Sequence, residues 1–166
     1  MSVAAFPFHA RFPNLAGDGL EQTSPEDELY NCIAFAADDT NNWWWPTDYW
    51  PLGAPRLLTL AAFVAAYEMV GYAVCADGTF AATHEKVVIY CDAVGVPTHA
   101  ARQLDSGHWT SKLGGFWDVR HATPRGVEGP AYGTAVQFLS RPIVSPDRVL
   151  LRSARVVAPR VEPTDT

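Results

Sequence analysis

The fold class follows most directly from residues 85–113, which read EKVVIYCDAVGVPTHAARQLDSGHWTSKL. Residues 85–91 are mostly apolar, β-branched or aromatic, so they predict a buried strand. Two more strand candidates, residues 98–104 and 108–113, flank Asp105-Ser106-Gly107, which is typical of a tight hairpin turn. The sequence therefore predicts a sheet of three or four mostly antiparallel strands.

Two helices are predicted upstream of these strands. Ser24 and Pro25, followed by three acidic residues, are typical of a helix start, and Asn31 offers a second start before the apolar run CIAFAA. Residues 55–70 carry apolar side chains at mostly helical spacing and are followed by Gly71. The pattern indicates an α+β fold in which N-terminal helices pack on one face of an antiparallel sheet.

The whole chain has the length of a single domain. Its sequence divides into three parts. Residues 1–24 carry proline and glycine without periodicity and predict an irregular N-terminal arm. Residues 25–140 hold the predicted helices and strands. Residues 141–166 predict a C-terminal extension that is partly flexible, within which residues 149–157 are a candidate edge strand.

Composition and charge exclude several classes of protein. Apolar residues make up 48% and charged residues 18% of the 166 residues, which excludes a disordered chain. No run approaches the roughly 20 apolar residues of a membrane helix, so no membrane partner is expected. The net charge of −6 argues against nucleic acid as a partner. Three cysteines without a CxxC pair, and no secretory signal, indicate a cytoplasmic protein, with signal-independent export left open.

Cys32 is the candidate nucleophile. If Asn31 caps the helix, Cys32 lies in its first turn, where free backbone N–H groups and the helix dipole stabilise a thiolate and a developing oxyanion. If the helix instead begins at Pro25, Cys32 lies two turns further in and is an ordinary core residue. The sequence leaves both alternatives open.

Histidine is the natural base for such a thiol. His99 lies in a strand candidate beside small residues, which leave room for a facing helix and a substrate. A third group should orient the imidazole. Across the predicted hairpin, Ser111 is a diagonal neighbour of His99 on the same face, whereas Asp118 is a stronger acceptor in a loop. His84 is an alternative base or orienting group, and a structural role for His99 is equally open.

Four of the six tryptophans lie in residues 43–50, which read WWWPTDYW. Trp43, Trp44 and Trp45 predict a binding cleft, because indole rings stack on flat ligands, or a lid that holds a long loop onto the core. No histidine or cysteine falls at a ligand-like interval from the neighbouring Asp38 and Asp39, so no metal is expected.

Five motifs resemble those of an uncharacterised family of small bacterial domains. They are YNCIAFAA (30–37), WWWP (43–46), EKVVIY (85–90), PTHAARQL (97–104) and WTSKLG (109–114). The family typically reads YNCIAWA, WWWP, EKIAIY, THAARQL and WTSKLG. The resemblance spans roughly residues 28–140 and implies no activity, because the family has none assigned.

The layout more distantly resembles papain-like and NlpC-like cysteine hydrolases. These enzymes carry a cysteine at a helix N-terminus, then an antiparallel sheet that bears a histidine and a polar third residue. The resemblance implies a papain-like α+β domain over residues 25–140, with Cys32 as nucleophile and His99 as base. An NlpC-like order would make His84 the base and His99 the third residue, but the family pattern has no fixed histidine at position 84. Substrate contacts are expected from Asn31, Trp43, Trp44, Trp45, Gln103, Trp109 and Lys112, with structural roles equally open.

The leading hypothesis is a cysteine-dependent hydrolase or acyl-transferase that acts on an amide bond through an acyl-enzyme. Cys32 attacks, His99 acts as base and then acid, and Ser111 or Asp118 orients the imidazole. The expected partner is a peptide-like or amide-containing substrate, and no cofactor is implied. Two alternatives stay open: a non-catalytic module that binds a ligand or protein through the Trp-rich loop, and a secreted bacterial toxin.

Overall fold

A computed structural model describes residues 10–157, without the side chains of Val156 and Val157. Seven strands and three helices make up this part of the chain. The strands are β1 (Glu21–Ser24), β2 (Ala73–Cys75), β3 (His84–Cys91), β4 (Pro97–Gln103), β5 (Trp109–Lys112), β6 (Asp118–His121) and β7 (Thr134–Pro142). The helices are α1 (Cys32–Ala36), α2 (Leu60–Glu68) and α3 (Pro146–Val157), and two short 3₁₀ helices span Ala16–Asp18 and Pro124–Val127.

All seven strands belong to one antiparallel sheet with the order β1-β6-β5-β4-β3-β7-β2. The strand β3 pairs with β4 on one side and β7 on the other. Residues 85–91 of β3 are all buried, which explains why residues 87–91 are apolar without alternating. The three strands predicted from residues 85–113 lie where the sequence placed them.

One face of the sheet, called here the helix face, is covered by α1 and α2. Ile33 of α1 and Phe63 and Tyr67 of α2 pack into its core, and the Tyr67 hydroxyl donates a 2.8 Å hydrogen bond to the carbonyl of Ile33. The sheet residues of this core are Val87, Ile89, Cys91, Ala100 and Leu139.

The opposite face, called here the loop face, is covered by irregular segments. Phe12 and Leu15 from the N-terminal segment and Val127 from the loop after β6 pack against it. The sheet residues of this second core are Val88, Tyr90, Ala101, Trp109 and Val119. Because neighbours along a strand alternate between the faces, each strand residue can be assigned to one core.

The prediction of a papain-like α+β fold with N-terminal helices is wrong. The protein is mostly a seven-stranded antiparallel sheet, and the two helices near its N-terminus have only five and nine residues. Ser24 does not start a helix, because it ends β1 and its hydroxyl accepts a 3.2 Å hydrogen bond from the Asp118 backbone N–H. The polar atom expected to cap a helix instead joins β1 to β6.

The predicted edge strand over residues 149–157 is also wrong, because these residues form the greater part of α3. Arg148 and Arg152 lie one helical turn apart and both contact the carboxylate of Asp105. Arg152 is 1% exposed and also donates to the carbonyls of Ala81, Ala82 and His84. The start of the predicted extension is therefore part of the fold, whereas residues 1–9 and 158–166 lie outside the described chain.

Candidate functional site

Asn31 is the N-cap of α1, so the second of the two predicted helix starts is the one the protein uses. Its Oδ1 accepts hydrogen bonds from the backbone N–H groups of Ala34 and Trp44, both at 3.1 Å. Its Nδ2 donates to the Trp44 carbonyl at 2.7 Å. This single side chain therefore caps the start of α1 and ties the helix to the Trp-rich loop. The predicted substrate contact at Asn31 is occupied by these structural bonds.

Cys32 is the first residue of α1 and is 6% exposed. Burial raises the pKa of its thiol to about 11, although the backbone N–H groups of Ala100, Ile33 and Cys32, and the charge of Lys112, act in the opposite direction. The loss of hydration outweighs the helix N-terminus, so the thiol is neutral at neutral pH.

His99 lies on the other side of the sheet from Cys32. Its register partner on β3 is Tyr90, which belongs to the core of the loop face, and the two rings are 5.1 Å apart. Cys32 packs in the core of the helix face with Ala100, the next residue along β4. No hydrogen bond joins the thiol to the imidazole among residues 10–157, so the structure does not bring the predicted dyad together.

A buried chain of hydrogen bonds instead holds His99. Its Nε2 lies 2.9 Å from Ser111 Oγ, and this oxygen lies 2.8 Å from Nε2 of His121. The Nδ1 of His121 lies 2.7 Å from the carbonyl of Thr123. The side chains of His99, Ser111 and His121 are all fully buried. Ser111 therefore contacts His99 as the hairpin geometry predicts.

The chain of bonds fixes the tautomers of both histidines. A carbonyl only accepts, so His121 Nδ1 carries the proton and His121 Nε2 accepts from the Ser111 hydroxyl. That hydroxyl has one proton, so it accepts from His99 Nε2–H. The Nδ1 of His99 is then an acceptor, and it has no partner within the described chain. Burial, and then the neighbouring His121, holds the pKa of His99 well below its usual value, and burial lowers the pKa of His121.

Lys112 and Asp118 form a second buried group, around Tyr30. The Lys112 ammonium donates to the carbonyls of Asp27 and Phe116, both at 2.6 Å, and lies 4.9 Å from the centre of the Tyr30 ring. The Tyr30 hydroxyl donates to Asp118 Oδ2 at 2.8 Å. Asp118 therefore contacts Tyr30, and no described hydrogen bond joins it to His99. Burial lowers the pKa of Lys112, whereas burial and then the bond to Asp118 raise the pKa of Tyr30 to about 12.

The Trp-rich loop is both a lid and a surface. Trp44 and Trp50 are buried in the helix-face core, Trp45 packs edge-on against Phe63, and Trp44 Nε1 donates to Asp39 at 2.8 Å. Trp43 remains partly exposed. The sequence did not single out the exposed apolar residues beside them, Tyr49, Leu52 and Met69, which line one groove. The Pro51-Leu52-Gly53 turn was the only local sign that an apolar side chain would point outward.

Gln103 and Trp109 lie directly opposite each other on β4 and β5 and line one cleft. His84 lies apart from this cleft, with its Nδ1 2.8 Å from the hydroxyl of Thr83. In the described part of the chain, no group of three or more histidine, cysteine, aspartate or glutamate side chains is arranged to hold a metal ion. None of the described helices is long and apolar enough to cross a membrane.

These features define the class of the protein: a single antiparallel sheet with helices on one face and irregular segments on the other, in which the motifs of the sequence mainly make internal contacts. The chain belongs to a family described as a domain of unknown function, DUF7689, whose model matches residues 21–140. This confirms the resemblance to an uncharacterised family, whereas the resemblance to papain-like enzymes has no support. No curated protein and no solved structure matches the chain.

Proposed function

We propose that the protein is a non-catalytic binding module that docks a protein partner on the groove beside the Trp-rich loop. The observation that carries the proposal is the exposure of three large apolar side chains around one groove of about 590 Å³. Leu52 is 91% exposed, Met69 51% and Tyr49 49%. Contiguous exposed apolar surface of this kind is typical of interaction sites.

The groove is supported by a firmly held loop. Arg56 donates to the carbonyls of Pro46 and Asp48 at 3.0 and 2.9 Å, and Trp50 Nε1 donates to the Pro55 carbonyl at 2.9 Å. Because these bonds already order the backbone of the loop, binding of a partner would cost little conformational entropy there. Met69 is among the side chains that line the groove, and a flexible methionine suits an apolar side chain of variable shape.

The charge around the groove indicates the chemistry of the partner. Asp48 and Arg56 both line the groove, Glu68 next to Met69 in the sequence is exposed, and the chain as a whole carries a net charge of −6. Arg56 is engaged by two backbone carbonyls. The expected ligand is therefore a peptide segment with an aliphatic or aromatic anchor beside a basic residue.

The test is a selection of peptides from a random display library on the intact protein, followed by affinity measurements on variants. Leu52→Asp and Met69→Asp should each weaken the selected basic, apolar-anchored peptides at least about tenfold, since each puts a charge where an apolar anchor docks. Val144→Asp makes the same change at a residue that is 95% exposed outside the groove, and should leave binding unchanged. The proposal would be overturned if the selected peptides bind the wild type and the three variants equally, or if the library yields no binding peptide.

A cysteine hydrolase or acyl-transferase is the second candidate function. It is favoured by one feature of the site: Cys32 is the first residue of α1, where the backbone N–H groups of Cys32, Ile33 and Ala100 act to lower the pKa of its thiol. Such groups would stabilise a thiolate or an oxyanion. We place this function second because no base from residues 10–157 hydrogen-bonds to the thiol, and burial disfavours the thiolate. Alkylation of Cys32 across pH 5 to 9, described below, distinguishes the two functions.

A further inference from the structure

A second concave site lies at the end of the β4–β5 hairpin, on a set of residues different from the groove beside the Trp-rich loop. This cleft has a volume of about 680 Å³, within the usual range for small-molecule sites. Its walls come from residues 78–80, the β4–β5 hairpin, residues 122–124 and Arg155 of α3. Four separate segments of the chain therefore meet there.

Gln103 supplies an unpaired acceptor to this cleft. The residue is 3% exposed, and its Nε2 donates to the Gly78 carbonyl at 2.9 Å, which fixes the orientation of the carboxamide. Its Oε1 is buried and has no hydrogen-bond partner in the described chain. A buried acceptor without a partner costs free energy, so this position favours a ligand that brings a donor.

Trp109 supplies a donor next to it, the indole Nε1–H. Its ring packs edge-on against Phe138 with the centroids 6.1 Å apart. A side chain at Gly78 would come within 3.0 Å of Trp109 Cζ2 and 2.7 Å of Phe138 Cε1, so glycine is what lets the loop lie against these rings. The indole Nε1–H makes no hydrogen bond to any residue from 10 to 157. An acceptor and a donor therefore stand on directly opposite residues of one strand pair.

The charge of the cleft is positive. Arg155 is the one residue among those that line the cleft that is a lysine, arginine, aspartate or glutamate. Its side chain is exposed. The ring of Phe80 adds an apolar wall. A ligand that satisfies all of these groups carries an amide, a carboxylate and an apolar side chain.

We propose that this cleft binds an N-acyl amino acid or the C-terminal residue of a peptide, which share this chemistry. The ligand amide N–H donates to Gln103 Oε1, and its carbonyl accepts from Trp109 Nε1–H. Its carboxylate pairs with Arg155, and its apolar side chain packs against Phe80. The proposal is independent of the protein-binding groove, so either can fail without the other.

The test compares N-acetyl-phenylalanine with N-acetyl-phenylalaninamide, which lacks the carboxylate, by calorimetry on the intact chain. The acid should bind about tenfold more tightly than the amide, because a charge-assisted pair with Arg155 is lost in the amide. Arg155→Gln should bring the acid down to the affinity of the amide and leave the amide unchanged. Arg11→Gln, the same charge change outside the residues that line the cleft, should alter neither.

A second readout reports on the inner wall. The NMR signal of the Trp109 indole N–H, assigned through Trp109→Phe, should shift when the acid is added. Gln103→Met should abolish binding, and a retained unfolding transition shows that this variant still folds. A tetrapeptide ending in free phenylalanine that binds more tightly than the acetylated amino acid identifies a peptide terminus, and the reverse identifies a free metabolite. Equal affinity for acid and amide, a Trp109 signal that does not move, or no binding at millimolar ligand would overturn the proposal.

Discussion

The hydroxyl of Ser111 lies 2.9 Å from Nε2 of His99, and both groups are fully buried on the loop face of the sheet. The two residues were predicted to be neighbours, and they are. Their role in the structure is to satisfy each other inside a core, with His121 completing the chain of bonds. This relationship gives the first two predictions.

Ser111→Ala should lower the free energy of unfolding by about 2–3 kcal/mol, because it leaves two buried imidazole nitrogens without their partner. Urea denaturation measures the change. Thr47→Ala removes an exposed hydroxyl whose one described bond, to Asp48, is 3.4 Å long, and should cost less than about 0.5 kcal/mol. If the two variants are equally stable, the chain of bonds contributes nothing.

Stability should fall as the pH is lowered through about 6.5. In the folded protein, burial holds the pKa of both His99 and His121 below that value, so the unfolded chain binds more protons in this window. The free energy of unfolding is therefore highest above pH 6.5 and declines below it, with a slope that approaches about 1.4 kcal/mol per pH unit for each histidine. Urea titrations at half-unit steps from pH 7.5 to 5 measure the slope, and a flat profile would contradict the buried neutral histidines.

Cys32 should resist alkylation in the native protein. With a pKa of about 11 and 6% exposure, its thiol is neither ionised nor accessible near pH 8, whereas Cys75 is more exposed. Mass spectrometry after iodoacetamide treatment should show label on Cys75 first and on Cys32 only in denaturant. Selective labelling of Cys32 at pH 6, lost in His99→Ala, would instead favour the hydrolase.

Asn31→Ala should destabilise the protein by about 2 kcal/mol, more than an average N-cap loss, because it also removes both bonds to the backbone of Trp44. Asn31→Asp keeps the acceptor of the cap but places a carboxylate oxygen against the Trp44 carbonyl, so it should recover only part of the loss. Thermal unfolding of the three proteins gives the order. An aspartate variant as stable as the wild type would show that the bond from Nδ2 contributes little.

Arg152→Met should cost about 2 kcal/mol, since three backbone carbonyls lose a buried donor while Asp105 keeps Arg148. Arg152→Lys retains the charge without the planar fork and should fall between the wild type and methionine. Calorimetric unfolding measures both. Wild-type stability in Arg152→Met would mean that α3 is held by other contacts.

The sequence predicted local structure well where one physical signal dominated. The apolar run of β3 and the Asp105-Ser106-Gly107 turn placed the central strands, and the cap at Asn31 was one of two alternatives considered. The α3 helix was missed because residues 149–157 were interpreted as an edge strand, whereas Arg148 and Arg152 pair with Asp105 from a distant hairpin. No local pattern reveals such a partner.

Residue order does not determine whether the predicted dyad of Cys32 and His99 comes together. Whether His99 faces α1 depends on which face of the sheet the helix packs against. The same alternation that puts Ala100 beside Cys32 puts His99 on the far side. A cysteine followed by a strand histidine is therefore compatible with more than one fold.

The two outermost strands of the sheet limit how far it can grow. The strand β2 has three residues, and β1 has four with an irregular register between Gln22 and Ser24. Short, bent edges leave few unpaired backbone groups in a row, so they offer a poor template for a strand from another molecule. Deleting the chain up to Ser24 would uncover β6, whose pairing with β5 is regular over all four residues. That truncated protein should form intermolecular β-structure on concentration, which makes the N-terminal segment a safeguard against aggregation.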